Sequence, residues 1–177
     1  HPLTAVLLPE LCSKYGQHER SLFKFLSSTD EGSLQWLIQS GDLVDGWVMP
    51  WHLYDYFLTS AGSTSALPSL AQRWIEIQTR LRDAVGLIEF ELEILKTIGL
   101  LNLCSSSGIV RANRDILSWI LESRASETYS LESALEQLSG TGFITYRDQA
   151  DEYRVWRGSD FDLGEQVRLL MASYRQE

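Results

Sequence analysis

Apolar residues recur at helical spacing through the first half of the chain. The first helix is predicted to begin at Pro2, because proline suits a first helical position, and to end near Gly16. After a second short helix, Asp30 is predicted to cap a third helix that ends before Gly41. The apolar positions assigned to the second and third helices are Leu22, Phe23, Leu26, Leu34, Leu37 and Ile38. Later helices are predicted from Pro50, from Ser69 to about Val85, and from about Leu87 to Leu101.

The pattern changes in the last third of the chain. Two helices, within RANRDILSWILES and SLESALEQLSG, precede the alternating β-branched and aromatic residues of FITYRD and YRVW, which predict a β-hairpin. A last helix is predicted from Leu163 to Tyr174, after a cap at Asp162. Three helices followed by a two-stranded ribbon is the order of a winged helix-turn-helix. We therefore predict a mainly α protein, with a helical, lid-like subdomain at residues 1–84 and a winged-helix domain at residues 85–177.

Composition and charge exclude several classes of function. With 44% hydrophobic and 22% charged residues the chain is expected to form a packed core. Its formal net charge of −9 opposes non-specific binding to nucleic acid or to an anionic membrane. No apolar run approaches the ~18 residues that a membrane span needs. Cys12 and Cys104 lie in leucine-rich surroundings and are interpreted as reduced core residues, which indicates a cytoplasmic protein.

Motifs for catalysis, phosphate binding and metal binding are absent from the sequence. No lysine follows a glycine, so there is no Walker A loop. His1, His18 and His52 have no second ligand at metal-binding spacing, and His52 is predicted to lie on a helix surface. The acidic run EFELE, which contains Glu89, Glu91 and Glu93, is interpreted as a solvated helix face. We therefore predict no catalytic residue and no metal site in this chain.

A winged helix often binds DNA, but the surface expected to contact DNA is acidic here. The candidate recognition helix carries Glu132 and Glu136 and no lysine or arginine. The turn of the wing contributes three more acids, Asp148, Asp151 and Glu152. Because phosphate contacts and base readout both rely on basic side chains, DNA binding is disfavoured and a protein partner is expected.

Several segments resemble parts of large bacterial P-loop ATPases near the AAA+ and signal-transduction (STAND, NACHT-like) ATPases, some of them associated with anti-phage defence. These segments are HPLTAVLLPEL, GQHERSLFKFLSS, LYDYF, ILKTIGLLNL and YRVWRGSDFD. In that family a helical lid follows the nucleotide-binding core, and a winged helix follows the lid. The resemblance implies that this chain is the lid and winged helix, and that ATP and Mg²⁺ bind the absent core. The opening His-Pro, in place of Met, is interpreted in the same way, as the start of a fragment.

The resemblance also implies three nucleotide-facing residues. Pro2 matches the proline at the opening of the lid, which approaches the bound nucleotide in the family. Gln17 and Arg20 would face the missing core, with Arg20 as a lid arginine toward the phosphates. His18 occupies a position where the family pattern leads us to expect Asn.

A structural role for the same segment is the alternative. Gln17 and Glu19 would then satisfy the start of the second helix, and Arg20 would pair with an acid such as Glu10 or Asp55. Two functions also stay open. The first is a non-catalytic regulatory fragment of an ATP-dependent switch protein, which couples nucleotide state to conformation or assembly. The alternative is an acidic winged-helix module that acts as a transcription regulator or a protein-interaction adaptor.

Overall fold

The computed structural model describes residues 1–15, 19–60, 68–104, 110–121, 124 and 130–156. Over these residues the chain forms eight α-helices and one antiparallel hairpin, so the predicted mainly α fold is confirmed. The helices are α1 (Pro2–Tyr15), α2 (Glu19–Ser27), α3 (Leu34–Ser40), α4 (Pro50–Ser60), α5 (Pro68–Arg82), α6 (Glu89–Cys104), α7 (Arg114–Leu121) and α8 (Leu131–Gly140). The strands are β1 (Ile144–Arg147) and β2 (Glu152–Val155). None of these helices combines the length and apolar character that crossing a bilayer requires. The predicted helix from Leu163 to Tyr174 lies outside the described residues.

Helix α3 begins and ends at residues whose chemistry fixes its limits. The Ser33 hydroxyl caps its start by accepting the amide hydrogen of Trp36. Gly41 ends it in the left-handed conformation (φ 80°) and donates its amide to the Leu37 carbonyl, as predicted. The prediction of Asp30 as the cap was wrong. Gly32 (φ 76°) turns the chain between Asp30 and the helix, and the Asp30 carboxylate forms an ion pair with Lys24 instead.

Some apolar positions of the short helices were assigned to the wrong side. Phe23 is 71% exposed and Ile38 is 58% exposed, although both fit a helical apolar pattern. Among residues 21–27 of α2 the buried residue is Phe25, whose ring meets Tyr56 edge-on at a centroid distance of 5.0 Å. In helices this short, the position of the neighbouring elements decides which side is buried, since only two turns of pattern are available.

Helix α6 lies at the centre of the fold, with twelve of its sixteen residues buried. It packs against α1, α4 and α5 from the predicted helical subdomain. It also packs against α7, α8 and β2 from the predicted winged-helix domain. The described residues of both parts therefore share one continuous hydrophobic core. The predicted boundary at residue 84 falls in the turn between α5 and α6 and stays a prediction.

A glycine in the middle of α6 allows this close packing. A Cβ atom at Gly99 would lie 2.9 Å from Cγ2 of Ile77 on α5. The same point would be 3.6 Å from the ring of Tyr54 on α4 and 3.8 Å from Val155 on β2. Three elements thus converge on one position of α6 that only a residue without a side chain can occupy without displacing Ile77.

The hairpin packs against the helices through hydrogen bonds as well as apolar contacts. Strand β2 pairs with β1 along one edge, with Ile144 opposite Val155. At its other edge the Tyr153 amide donates to the Ala112 carbonyl at 2.8 Å. The Asn102 side chain of α6 completes this edge: its Nδ2 donates to the Tyr153 carbonyl and its Oδ1 accepts the Val155 amide, both at 2.9 Å. The edge of β2 that faces away from β1 is therefore covered by the protein's own polar groups.

Replacing Asn102 with alanine is expected to destabilise the attachment of the hairpin. The substitution leaves a buried carbonyl and a buried amide without these partners, so the free energy of unfolding should fall by about 2–4 kcal/mol. Urea denaturation followed by circular dichroism measures the change. The control is Gln137→Ala at an exposed position of α8, with an expected change within about 0.5 kcal/mol. A similar small change for Asn102→Ala would contradict the role assigned to its amide.

Candidate functional site

The three residues predicted to face a nucleotide are described only in part. Pro2 is the first residue of α1, as predicted, and is exposed. Gln17 lies outside the described residues, as does His18. Arg20 belongs to α2, but its side chain lies outside what the structure describes. The grouping of these residues around a nucleotide therefore stays a prediction.

The two acids considered as partners of Arg20 each contact a lysine. Glu10 Oε1 lies 2.6 Å from Lys14 Nζ, one turn along α1. Asp55 Oδ1 lies 2.8 Å from Lys96 Nζ, which connects α4 to α6. Burial raises the pKa of Asp55, while the hydrogen bond from Lys96 opposes that rise. The second pair has a structural role of its own, since it joins two elements of the core.

A cleft of about 1120 Å³ opens beside α3, between the loops that flank it and the exposed sides of α4 and α6. We call it the acidic cleft, because seven carboxylates and only two basic side chains line it. The acids are Asp30, Glu31, Asp42, Asp45, Asp55, Glu89 and Glu93, the bases are Lys96 and Arg124, and Trp36, Trp51 and His52 also line it. The acidic loops are visible in the sequence. Their proximity to the acids of α4 and α6 is not, because it arises from the packing of distant segments.

His52 is buried at the start of α4, whereas the sequence predicted a surface position. Its Nδ1 accepts the amide hydrogen of Met49 at 3.0 Å, so the imidazole satisfies an amide at the start of the helix. Nδ1 therefore carries no proton, and the proton of the neutral ring lies on Nε2. Burial lowers the pKa of His52 to about 4, which keeps the ring neutral at pH 7.

Glu93 is also buried, so the solvated face predicted for EFELE was wrong at this residue. Its Oε1 and Oε2 accept hydrogen bonds from Arg124 Nη2 at 2.8 Å and from Nε at 3.1 Å. Only 8% of the Glu93 side chain is exposed, against 34% of the Arg124 side chain. This two-point contact joins Arg124, which follows α7 in the chain, to α6 at the wall of the cleft. Burial raises the pKa of Glu93, and the Arg124 hydrogen bonds oppose that rise.

Four carboxylates of the acidic cleft form no ion pair with any residue in the described part of the chain. Glu31, Asp42, Asp45 and Glu89 are all exposed. Asp42 accepts a hydrogen bond from the Ser40 hydroxyl at 3.0 Å, which leaves its negative charge uncompensated. The cleft therefore has a negative potential that favours cationic groups.

The other chemical groups considered from the sequence do not form a reactive site. Cys12 and Cys104 are buried free thiols, as predicted. Burial raises the pKa of Cys12 to about 11 and that of Cys104 to about 12, so neither is a thiolate at neutral pH. Within the described ranges, no group of three or more His, Cys, Asp or Glu side chains is placed to hold a metal ion.

The predicted DNA-contacting surface is acidic at most of the positions considered. Glu132 and Glu136 are exposed on α8, and Glu132 lies 2.9 Å from Nη2 of Arg114. In the turn of the hairpin, Asp151 accepts a hydrogen bond from the Tyr146 hydroxyl at 2.6 Å. Glu152 differs from the expectation, because it is buried and pairs with Arg154.

Comparison of the chain with protein-family models, curated proteins and solved structures gave no match. The acidic cleft is consequently defined by the geometry of this chain alone. Its features are exposed carboxylates, a buried neutral imidazole and two tryptophans on one concave surface. The uncompensated carboxylates make that combination suited to the binding of a cationic group.

The stability contributed by Glu93 is expected to fall as pH rises. Its pKa is raised in the folded protein above its ordinary value of 4.5, so the carboxylate form is disfavoured by folding. The contribution is full below about pH 4.5 and is lost as pH rises through the raised pKa. The free energy of unfolding of the wild type minus that of Glu93→Gln should therefore decrease between pH 4 and pH 7.

Urea denaturation at several pH values measures this difference. Gln137→Ala removes no titratable group, so its difference from the wild type should not change with pH. An increase of the Glu93→Gln difference with pH would mean that attraction to Arg124 outweighs burial, and would contradict the prediction.

Proposed function

We propose that this chain is a non-catalytic regulatory module of an ATP-dependent switch protein, one that couples the nucleotide state of a separate core to conformation or assembly. The observation that carries the proposal is the burial of α6, which the helical and winged parts share. Packed cores change between discrete arrangements and do not deform continuously. A displacement of α1 or α4 would therefore move α8 and the hairpin as well.

Polar contacts that converge on α6 support this coupling. Lys14 of α1 donates to the carbonyl of Cys104 at 3.3 Å. Arg73 of α5 donates to the Asn102 Oδ1 at 3.3 Å and to the Val155 carbonyl at 3.4 Å. The two hydrogen bonds of Arg73 thus join α5, α6 and β2 through one guanidinium group.

The dependence on ATP rests on the resemblance of the HPLTAVLLPEL and GQHERSLFKFLSS segments to the lids of P-loop ATPases. In this proposal ATP and Mg²⁺ bind the core of the same polypeptide, and Pro2, Gln17 and Arg20 face that core. The signal passes to a protein partner in the cytoplasm. The chain itself supplies packing and charge and carries out no chemical step.

A cavity in the helical part is expected to weaken the winged part as well. Leu7 of α1 is 2% exposed, and Leu7→Ala should lower the free energy of unfolding by about 2–5 kcal/mol. Because α6 couples the two parts, hydrogen exchange should show a similar loss of protection in α1, α6 and α8. Leu138→Ala, at a buried position of α8, is the matched variant and should lower protection in α1. Loss confined to the altered part in both variants would contradict the coupling.

The alternative function is that of an acidic winged-helix adaptor or transcription regulator. The order of α6, α7, α8 and the hairpin supports it, together with the contact of the Tyr153 amide with the Ala112 carbonyl, where a winged helix has a short third strand. The exposed acids of α8 favour the adaptor over the DNA-binding regulator.

The chain is expected to bind duplex DNA no more tightly than the micromolar range, even at low salt, because Glu132 and Glu136 repel phosphates. Fluorescence anisotropy with mixed-sequence duplexes is the measurement. The double substitution Glu132→Lys and Glu136→Lys should increase the affinity and make it salt-dependent. Nanomolar binding by the wild type that weakens steeply with salt would contradict the prediction, since that slope reports phosphate contacts.

A further inference from the structure

We propose that the acidic cleft binds a basic peptide segment of a protein partner, through an arginine or lysine side chain and a backbone carbonyl next to it. This inference rests on the residues of the cleft and does not depend on the ATP-dependent switch. The cleft offers such a partner negative charge, the hydrogen-bond donor of His52 and aromatic surface.

The negative charge of the cleft favours a cationic ligand. Glu31, Asp42 and Asp45 are exposed carboxylates on the loops that flank α3, and none forms an ion pair within the described ranges. The two basic side chains of the cleft, Lys96 and Arg124, are already paired with Asp55 and Glu93. A guanidinium or ammonium group entering the cleft therefore meets carboxylates that have no internal counter-ion.

His52 supplies an independent reason for a ligand that also accepts a hydrogen bond. The residue is only 9% exposed and lines the cleft. Its Nδ1 is occupied by the Met49 amide, so Nε2 carries the proton. Nε2 makes no hydrogen bond to any residue in the described part of the chain. A hydrogen-bond donor without a partner in this part of the chain, on a buried residue that lines an acidic cleft, matches a carbonyl oxygen of the ligand.

The tautomer of His52 also separates the candidate ligands. A divalent cation needs several converging ligands, and within the described residues no three His, Cys, Asp or Glu side chains are placed to hold one. The unprotonated nitrogen of His52 is already bound to the Met49 amide. A polyamine satisfies the carboxylates but has no oxygen for Nε2–H. A peptide satisfies both, because each basic side chain is next to a backbone carbonyl.

The aromatic residues and the size of the cleft fit the same occupant. Trp36 is half-buried and lines the cleft, so its ring is available to a cation. A cation over a tryptophan ring gains about 0.5–2 kcal/mol. The volume of about 1120 Å³ exceeds the range of about 300–1,000 Å³ that is common for small-molecule pockets. A segment of several residues fills such a space better than a single metabolite.

The test measures binding of a fluorescein-labelled peptide with four Arg-Gly repeats to the full chain, at about 0.15 M salt. The cleft variant carries Glu31→Gln, Asp42→Asn and Asp45→Asn. Its matched control carries Asp115→Asn, Glu136→Gln and Asp148→Asn, which change the net charge equally at exposed positions outside the cleft. Spermine, whose four positive charges match the four arginine side chains of the peptide, is the competitor without a carbonyl. Thermal melts check that both variants remain folded.

The expected result is wild-type binding that weakens at least about tenfold in the cleft variant and less than twofold in the control. Unlabelled peptide should displace the probe at about tenfold lower concentration than spermine. Equal weakening in both variants would show attraction by net charge alone and would overturn the proposal. Absence of binding by the wild type, or equal displacement by spermine and peptide, would overturn it as well.

Discussion

The burial of α6 is the constraint on which the rest of this structure depends. Its twelve buried residues are packed by elements from both ends of the chain. Burial of apolar surface on this scale is the main favourable term in folding, at roughly 25 cal/mol per Å². The helix is buried along most of its length, so it cannot move without repacking α1, α4, α5, α7, α8 and β2. The predicted helical subdomain and the predicted winged-helix domain are joined through it for that reason.

The polar residues of α6 make this burial specific. A buried polar group is costly unless its hydrogen bonds are made, and each of these residues has a defined partner. The Thr97 hydroxyl donates to the Glu93 carbonyl, Asn102 contacts the edge of β2, and the Glu93 carboxylate binds Arg124. Apolar packing alone permits small shifts of the hairpin along the helix. The two hydrogen bonds of Asn102 allow only one position.

The acidic cleft follows from the same packing. Helices α4 and α6 pack closely against each other, which places Asp55 and Lys96 in contact and exposes their neighbours along one rim. The loops on either side of α3 complete the other rim with uncompensated carboxylates. The chain tolerates this repulsion because most of these groups remain in water, where charges interact weakly. A cationic partner would relieve the repulsion among these carboxylates, and this gain in electrostatic energy would favour its binding.

The helices, the hairpin and the burial of both cysteines could be predicted from the sequence, because periodicity, capping residues and turn residues act over short stretches of chain. Pro2, Gly41 and the alternation in FITYRD and YRVW are examples. The roles of His52 and Glu93 could not be predicted in this way. Each role depends on neighbours that only packing supplies. The ring of His52 is buried by the residues around α4, and Glu93 is paired with Arg124, which lies 31 residues away in the chain. Sequence therefore determined which segments are helical or extended and which charges they carry. Tertiary structure alone decided which charges are buried and paired, and which remain free to face a partner.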